Sequence, residues 1–306
     1  MDAFVRGLEK FTDGYLKSLR YLGSARPRRG AGRPLRLTVA DRREEAEGVV
    51  GLRLTGPDLP AWQPGCHLDL HLASGLRRQY SLCGDPRDRS SYRIAVRRVG
   101  AGSAEVHALR EGDEVLVRGP RNAFPFVAEG PMLFLAGGIG ITPILPMVRE
   151  AVRAGVDHTF VYLGRSRRSM PFLGELPDSA EVRPDDEFGV PDLAGIVGAF
   201  PADGSVYCCG PTPVLDAVRH AFASRRLHFE RFAPPPIVDG RPFEMVLRRS
   251  GITVDVPADR SALDVLKDLR PTVPYSCRQG FCGTCEVDGV RICVARPAGD
   301  RLVLDL

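Results

Sequence analysis

The segment Ser276-Cys277-Arg278-Gln279-Gly280-Phe281-Cys282-Gly283-Thr284-Cys285 sets three thiols at C-x4-C-x2-C spacing, an arrangement that holds a [2Fe-2S] cluster from one tight loop. Three thiolates have to converge there on two irons. Gly280 and Gly283 let the backbone curl without Cβ clashes, so that its N-H groups can point at the cluster sulfurs and stabilise their negative charge. A fourth thiolate has to come from downstream, and Cys293 is the only cysteine there. The candidate metal ligands are therefore Cys277, Cys282, Cys285 and Cys293. Structural zinc is the alternative, but zinc sites usually pair two C-x2-C knuckles, and no second knuckle or nearby His is present. A Rieske centre needs two His ligands, and none of the six His lies in this segment. A cluster of this kind passes electrons one at a time.

A second group of residues is Gly137-Gly138-Ile139-Gly140, directly after the apolar run Met132 to Ala136 and before a helical pattern. Small residues there let a dinucleotide pyrophosphate approach the N-H groups at a helix N-terminus, where the dipole favours anions. Thr142 suits the N-cap and Pro143 the first helical position. A tight turn that binds nothing can use the same glycines, and the spacing is not the six-residue Rossmann fingerprint. Val206-Tyr207-Cys208-Cys209-Gly210-Pro211 reads as another strand end on the same sheet, and a ligand lying across the carboxyl ends of the strands would meet both loops. Cys208 reads as core; Cys209, at the strand tip, is a candidate active-site thiol. Arg77-Arg78-Gln79-Tyr80-Ser81-Leu82 puts a phosphate-binding guanidinium, a stacking ring and a hydroxyl donor close together, a set that could hold a flavin. An ordinary strand with an exposed Arg has the same pattern.

These groups need elements to carry them. At 306 residues the chain should form two or three domains. With 43% hydrophobic and 26% charged residues it reads as globular. A net charge of only +4, with no basic stripe interleaved with aromatics, argues against nucleic acid as a partner. No apolar run reaches transmembrane length and the N-terminus lacks a signal-peptide core, so a cytoplasmic location is expected. That location suits eight cysteines used as ligands or buried thiols.

Residues 1–34 carry Phe4, Leu8, Phe11, Tyr15, Leu19 and Leu22 at helical steps, then an Arg/Gly/Pro linker. The helix is expected to dock on the protein's own body, with a partner or membrane-surface contact as the alternative. Residues 35–127 alternate in short strands separated by turn residues, which predicts a small β-barrel. His67, Asp69 and His71 share one strand face there. At about 3.3 Å per residue the two His lie roughly 13 Å apart, too far to chelate one ion, so a solvent-facing edge is expected. Residues 128–232 alternate strands with helices, which predicts a parallel sheet. Residues 233–242 are a stiff Pro-rich linker. Residues 243–306 show a strand pair, Phe243 to Leu247 and Ile252 to Val256, a helix from Ala262 to Leu269, and the cysteine loop, in a β-grasp-like order.

Taken in order, Arg78-x-Tyr80-Ser81, Pro120-Arg121-Asn122-Ala123-Phe124-Pro125, Gly137 to Pro143, Cys208 to Pro211, His228-Phe229-Glu230-Arg231-Phe232 and the cysteine loop resemble the phthalate dioxygenase reductase and vanillate demethylase reductase family, over about residues 35–306. The resemblance implies a multidomain protein with an antiparallel β-barrel flavin domain, an α/β parallel-sheet nucleotide domain and a C-terminal α+β (β-grasp) plant-type ferredoxin domain. It implies hydride transfer from NADH to FMN, and single electrons passed through the [2Fe-2S] cluster to a partner oxygenase, either a Rieske oxygenase or a cytochrome P450. FMN rather than FAD rests on the resemblance alone.

By the same resemblance, Arg78 would bind the flavin phosphate, Tyr80 would pack on the isoalloxazine and Ser81 would lie near its N5. Gly102 and Ser103 would complete the phosphate site, with Asn122 also on the cofactor. Gly137, Gly138, Gly140 and Thr142 would hold the NADH pyrophosphate, with Cys209, Gly210 and Pro211 beside the nicotinamide. Phe229, Glu230 or Phe232 would cover the flavin where nicotinamide enters. Ser81, Cys209 and Glu230 are the catalytic candidates. Arg165, Arg167 and Arg168 follow the second parallel strand, where the 2'-phosphate of NADPH could sit, whereas the resemblance implies NADH.

The chain departs from the family between Cys285 and Cys293, where Glu286 to Ile292 is a shorter segment than the family has. Asp288-Gly289 would turn a two-residue hairpin with Val287 opposite Val290 and Glu286 opposite Arg291. Cys285 and Cys293 could then share a cluster only if Cys285 belongs to the loop rather than to a regular strand. A chain that had lost the cluster would instead be an NAD(P)H flavin reductase whose C-terminal domain is a partner-binding module, with zinc as its possible metal.

Overall fold

The computed structural model describes residues 34–221, 226–234, 237–275, 278–280 and 283–306. The expected N-terminal helix, residues 235 and 236 of the Pro-rich linker, Cys277 and Cys282 lie outside the described residues.

Alternation of apolar and polar residues builds the first sheet from β1 (Leu35–Ala46), β2 (Val49–Thr55), β3 (Cys66–His71), β4 (Arg77–Ser81), β5 (Ser91–Arg97) and β6 (Glu114–Asn122). The six antiparallel strands run in the order β4-β3-β6-β1-β2-β5, and the antiparallel bridge between Leu82 and Ile94 joins the two ends into a barrel. Leu68 and Leu70 point inward and are fully buried with Leu52, Leu54 and Ile94. Helix α1 (Ala101–Ala108) follows β5 and contributes Val106 to the same core.

The expectation of a solvent-facing edge at His67, Asp69 and His71 is corrected. β3 is an interior strand between β4 and β6, and His67 and Asp69 are 5% and 7% exposed. Gln79 Nε2 donates to Asp69 Oδ1 at 3.0 Å, and Arg121 pairs with the same carboxylate. Burial, helped by the Arg121 charge, lowers the His67 pKa to about 4, so its ring is neutral.

The second sheet is parallel: β7 (Met132–Gly137), β8 (His158–Gly164), β9 (Ala180–Pro184), β10 (Ser205–Cys209) and β11 (Leu227–Glu230), in the order β11-β10-β7-β8-β9. Helices α2 (Ile141–Arg153), α3 (Asp185–Phe188), α4 (Leu193–Gly198) and α5 (Thr212–Ala221) connect these strands. The continuous apolar runs follow from burial on both faces. Met132, Phe134 and Ala136 enter the core under α2, while Leu133 and Leu135 enter the opposite core with Leu193 and Leu215. The same alternation sends Cys209 to the first core and Cys208 to the second.

The expected cap of α2 is also corrected. A 3-10 turn over Gly138–Gly140 starts the helix early, so Gly140 is the N-cap, and the Thr142 hydroxyl donates to the Ile139 carbonyl at 3.0 Å from inside the first turn. Pro143 is accordingly the third helical residue.

The third unit pairs β12 (Phe243–Leu247) antiparallel with β13 (Ile252–Val256) and parallel with β16 (Arg301–Leu304). Helix α6 (Ala262–Leu269) packs Leu263 and Leu266 against this sheet, and the Ser261 hydroxyl caps it by accepting from Asp264 N-H at 3.1 Å. A short hairpin, β14 (Glu286–Val287) and β15 (Val290–Arg291), completes it. Among the described residues no helix is long and apolar enough to cross a membrane.

Ion pairs join the barrel to the parallel sheet. Arg93 of β5 reaches Glu175 at 2.7 Å and Glu45 at 2.9 Å, Arg149 of α2 reaches Glu175 at 2.6 Å, and the Arg93 guanidinium lies 4.5 Å from the Phe172 ring centroid. Burial pushes the Glu175 carboxyl up, but the Arg93 and Arg149 hydrogen bonds outweigh it and hold the pKa below its ordinary value. A depressed carboxylate stabilises the fold above its unfolded pKa, and that contribution disappears as pH falls through the folded value. Glu175→Gln should therefore cost about 1 kcal/mol at neutral pH, an exposed-pair magnitude. The difference in melting temperature from wild type should close once the pH drops below the ordinary carboxylate range.

Candidate functional site

Strand β4 lies where the three sheets meet. Arg78 Nη1 donates to the Arg77 carbonyl at 2.7 Å, and Nη2 donates to Tyr275 Oη at 2.5 Å. A Cβ on Gly102 would sit 2.7 Å from Arg78 Nε, so glycine is what lets the guanidinium lie at the start of α1. The first turn of α1 carries no acidic residue, and its N-H groups and dipole favour an anion beside Arg78. A phosphate fits this cradle. Ser103 has a structural task in it: its hydroxyl accepts from Val99 and Gly100 N-H at 2.8 and 2.9 Å and donates to the Gly100 carbonyl at 2.8 Å. Asn122 is likewise engaged with backbone, donating to the Pro64 carbonyl at 3.1 Å and accepting from Phe124 N-H at 3.0 Å.

Further along β4, Tyr80 is partly buried, and burial raises its phenol to about 12 against the pull of Arg78. Ser81 Oγ donates to Glu230 Oε2 at 3.2 Å, which joins the barrel to the last strand of the parallel sheet. Burial raises the Glu230 carboxyl to about 7, and the Ser81 hydrogen bond opposes that rise. Phe229 and Phe232 flank Glu230 and are 40% and 46% exposed.

The glycine turn is pressed against the end of β10. A Cβ on Gly137 would lie 2.6 Å from Pro211 Cδ, and one on Gly140 would lie 2.1 Å from the Cys209 carbonyl oxygen. Gly138 adopts φ +54°, and Arg97 of the barrel approaches to 3.9 Å from where its Cβ would be, with Nη2 donating to the Ser169 carbonyl at 2.6 Å. The first turn of α2 has no acidic residue either, so the turn fits a pyrophosphate. Gly210 and Pro211 back this turn. The Cys209 thiol is closed off: it is fully buried, and burial first, then the Glu230 charge, hold its pKa well above the ordinary thiol value. It is no thiolate nucleophile. Of the three arginines after β8, Arg167 is paired to Glu187 at 2.8 Å.

In the cysteine loop Arg278, Gly280 and Gly283 take positive φ values of 57°, 84° and 71°, curling the backbone as a cluster loop requires. The hairpin registers Glu286 with Arg291 and Val287 with Val290. Cys285 therefore precedes the strand and belongs to the loop. Cys285 and Cys293 are 4% and 7% exposed in one core, a donor pair compatible with a cluster loop; Cys277 and Cys282 lie outside the described residues. Gln279 donates to the Arg231 carbonyl, so this loop also touches the end of the parallel-sheet unit. Motif reading missed Arg97, Lys267 and Tyr275. None belongs to a motif, and Tyr275 meets Arg78 across 197 positions.

A family model described as the 2Fe-2S iron-sulfur cluster binding domain matches residues 245–299. Phthalate dioxygenase reductase of Burkholderia cepacia is 34% identical over 313 residues, which cover 89% of this chain and 97% of that protein. A solved structure of phthalate dioxygenase reductase, described as modular for electron transfer from pyridine nucleotides to [2Fe-2S], matches with TM-score 0.69 at 33% identity, over 89% of this chain and 98% of that one. An intact type IV self-sufficient cytochrome P450 monooxygenase matches with TM-score 0.68 at 34% identity, over 89% of this chain and 41% of that one. The iron-sulfur match weighs against the zinc-bearing alternative.

The raised Glu230 pKa means that the folded protein binds a proton there which the unfolded chain releases above about 4.5. Folding stability should thus fall as pH rises from about 4.5 to about 7 on account of this group. Glu230→Gln should flatten that slope in melting temperature, whereas Ser81→Ala should move the carboxyl titration, followed by its infrared band, to higher pH.

Proposed function

Because the chain belongs to the phthalate dioxygenase reductase family, we propose that it is the NADH-dependent reductase component of an oxygenase system, delivering single electrons to a separate Rieske oxygenase or cytochrome P450. The observation that carries the reading is the Ser81–Glu230 hydrogen bond, which sets a proton-holding pair between the phosphate cradle of the barrel and the glycine turn of the parallel sheet. When bound, FMN takes hydride from NADH as an electron pair and the [2Fe-2S] cluster carries electrons onward singly.

The chain's own residues divide the remaining work. Arg78 and the N-H groups around Gly102 and Ser103 hold the flavin phosphate, and Asn122, at the other end of β3 from Arg78, braces the turn from Pro64 to Phe124. With a flavin bound, Tyr80 would pack on the ring system and Ser81, whose hydroxyl donates to Glu230, would lie near its N5 edge. Glu230, with a pKa of about 7, holds or releases a proton at Ser81 near neutral pH. Gly137, Gly138 and Gly140, with the first turn of α2 at Thr142, hold the pyrophosphate of NADH, and Gly210 and Pro211 bound the nicotinamide. Phe229 and Phe232 cover the opening. Cys209 contributes the shape of the strand end rather than a thiolate. Pairing of Arg167 with Glu187 removes one cation from a 2'-phosphate and supports NADH over NADPH. Cys277, Cys282, Cys285 and Cys293 ligate the cluster.

In this reading residues 35–127 form the flavin domain, 128–232 the nucleotide domain and 243–306 the ferredoxin domain. Cytoplasmic action is supported by buried, unpaired thiols at Cys66, Cys83, Cys208 and Cys209. Cys282→Ser should abolish reduction of cytochrome c while ferricyanide reduction by NADH persists. Equal retention of both activities, or iron and acid-labile sulfide well below two of each per chain in anaerobically reconstituted wild type, would remove the cluster from the route.

A further inference from the structure

The phosphate cradle is not built by the barrel alone. Tyr275, just ahead of the cysteine loop, accepts a hydrogen bond from Arg78 Nη2 at 2.5 Å, and the guanidinium carbon lies 4.2 Å from its ring centroid. Lys267 of α6 places Nζ 4.7 Å from the same centroid, so one ring engages two cations. Among the described residues neither Arg78 nor Lys267 has a carboxylate partner. Glu105, the acid on α1, is turned to Ser74, whose N-H and hydroxyl donate to it at 3.1 and 2.6 Å. Two unneutralised cations beside an acid-free helix start make a place for an anion.

Orientation matters as much as charge. A long Arg side chain left to itself samples many rotamers, and ordering them on binding lowers affinity. Here Nη1 is held by the Arg77 carbonyl and Nη2 by Tyr275, and the aromatic stack fixes the plane of the guanidinium. Nε is left facing Gly102 and the start of α1.

We propose that Tyr275 is a positioning residue for the flavin phosphate, so that the ferredoxin domain must be docked on the barrel for the flavin to be held tightly. The inference rests on the reading above that Arg78 binds that phosphate. Linkage is reciprocal: if docking tightens flavin binding, bound flavin tightens docking by the same factor. Such a reductase retains its flavin best when the route by which electrons leave is assembled.

The test uses the full-length protein and FMN. Flavin-fluorescence titration should show Tyr275→Phe binding FMN about ten-fold more weakly, the scale of one lost hydrogen bond to a charged group. Tyr275→Ala should bind it more weakly still, and cluster absorbance should be unchanged in Tyr275→Phe. In the wild type, removing FMN should speed hydrogen exchange in residues 262–275. FMN binding within about two-fold of wild type in both Tyr275 variants, with Arg78→Gln clearly weakened, would overturn the role of Tyr275 and leave the phosphate assignment standing. Exchange in 262–275 indifferent to FMN would overturn the coupling. If Arg78→Gln also keeps its FMN, the phosphate assignment itself fails, and this inference with it.

Discussion

Strand β4 is held by both of its neighbours through side chains spaced three residues apart. Arg78 is gripped by Tyr275 from the third unit, and Ser81 is gripped by Glu230 from the second. Because alternate residues of a strand face opposite ways, these two contacts leave on different faces of β4. The nucleotide and ferredoxin units can therefore both touch one strand without competing for it. This double attachment ties one strand of the barrel to both other units.

Close approach is achieved by removing side chains where backbones must meet. Gly102 admits Arg78 to the start of α1, and Gly137 and Gly140 admit the end of β10 to the start of α2. Both helices begin without acidic residues, so their partial positive charge favours an anion there. At the start of α1 the Ser103 hydroxyl is taken up by backbone groups, so it does not fill the turn.

Burial then sorts the titratable groups by role. The thiols of Cys208 and Cys209 are raised by desolvation, to about 12 and well above normal respectively, and are silent at neutral pH. His67 is held neutral by burial and by Arg121. Glu230, raised to about 7, stands apart from these, because burial penalises its charge while the Ser81 hydroxyl partly restores it.

Much of this was legible in the linear order of residues. Alternation in Leu35 to Leu54 called for strands, the apolar run Met132 to Ala136 for a buried parallel strand, and Cys-x4-Cys-x2-Cys for a cluster loop, because each pattern is local and repeats with the geometry of its element. The Asp288-Gly289 turn was readable for the same reason, since two residues with special backbone freedom set the register of the strands around them. Strand position within the sheet was not readable: β3 has the polar alternation of an edge, and only its place between β4 and β6 buries His67 and Asp69. The start of α2 shifted because the 3-10 turn at Gly138–Gly140 depends on packing against Cys209. Local spacing thus determined the elements and the ligand types. The tertiary structure alone decided that Tyr275 meets Arg78 and Glu230 meets Ser81, because contacts between residues 197 and 149 positions apart are set by how whole sheets pack and leave no periodic trace in the chain.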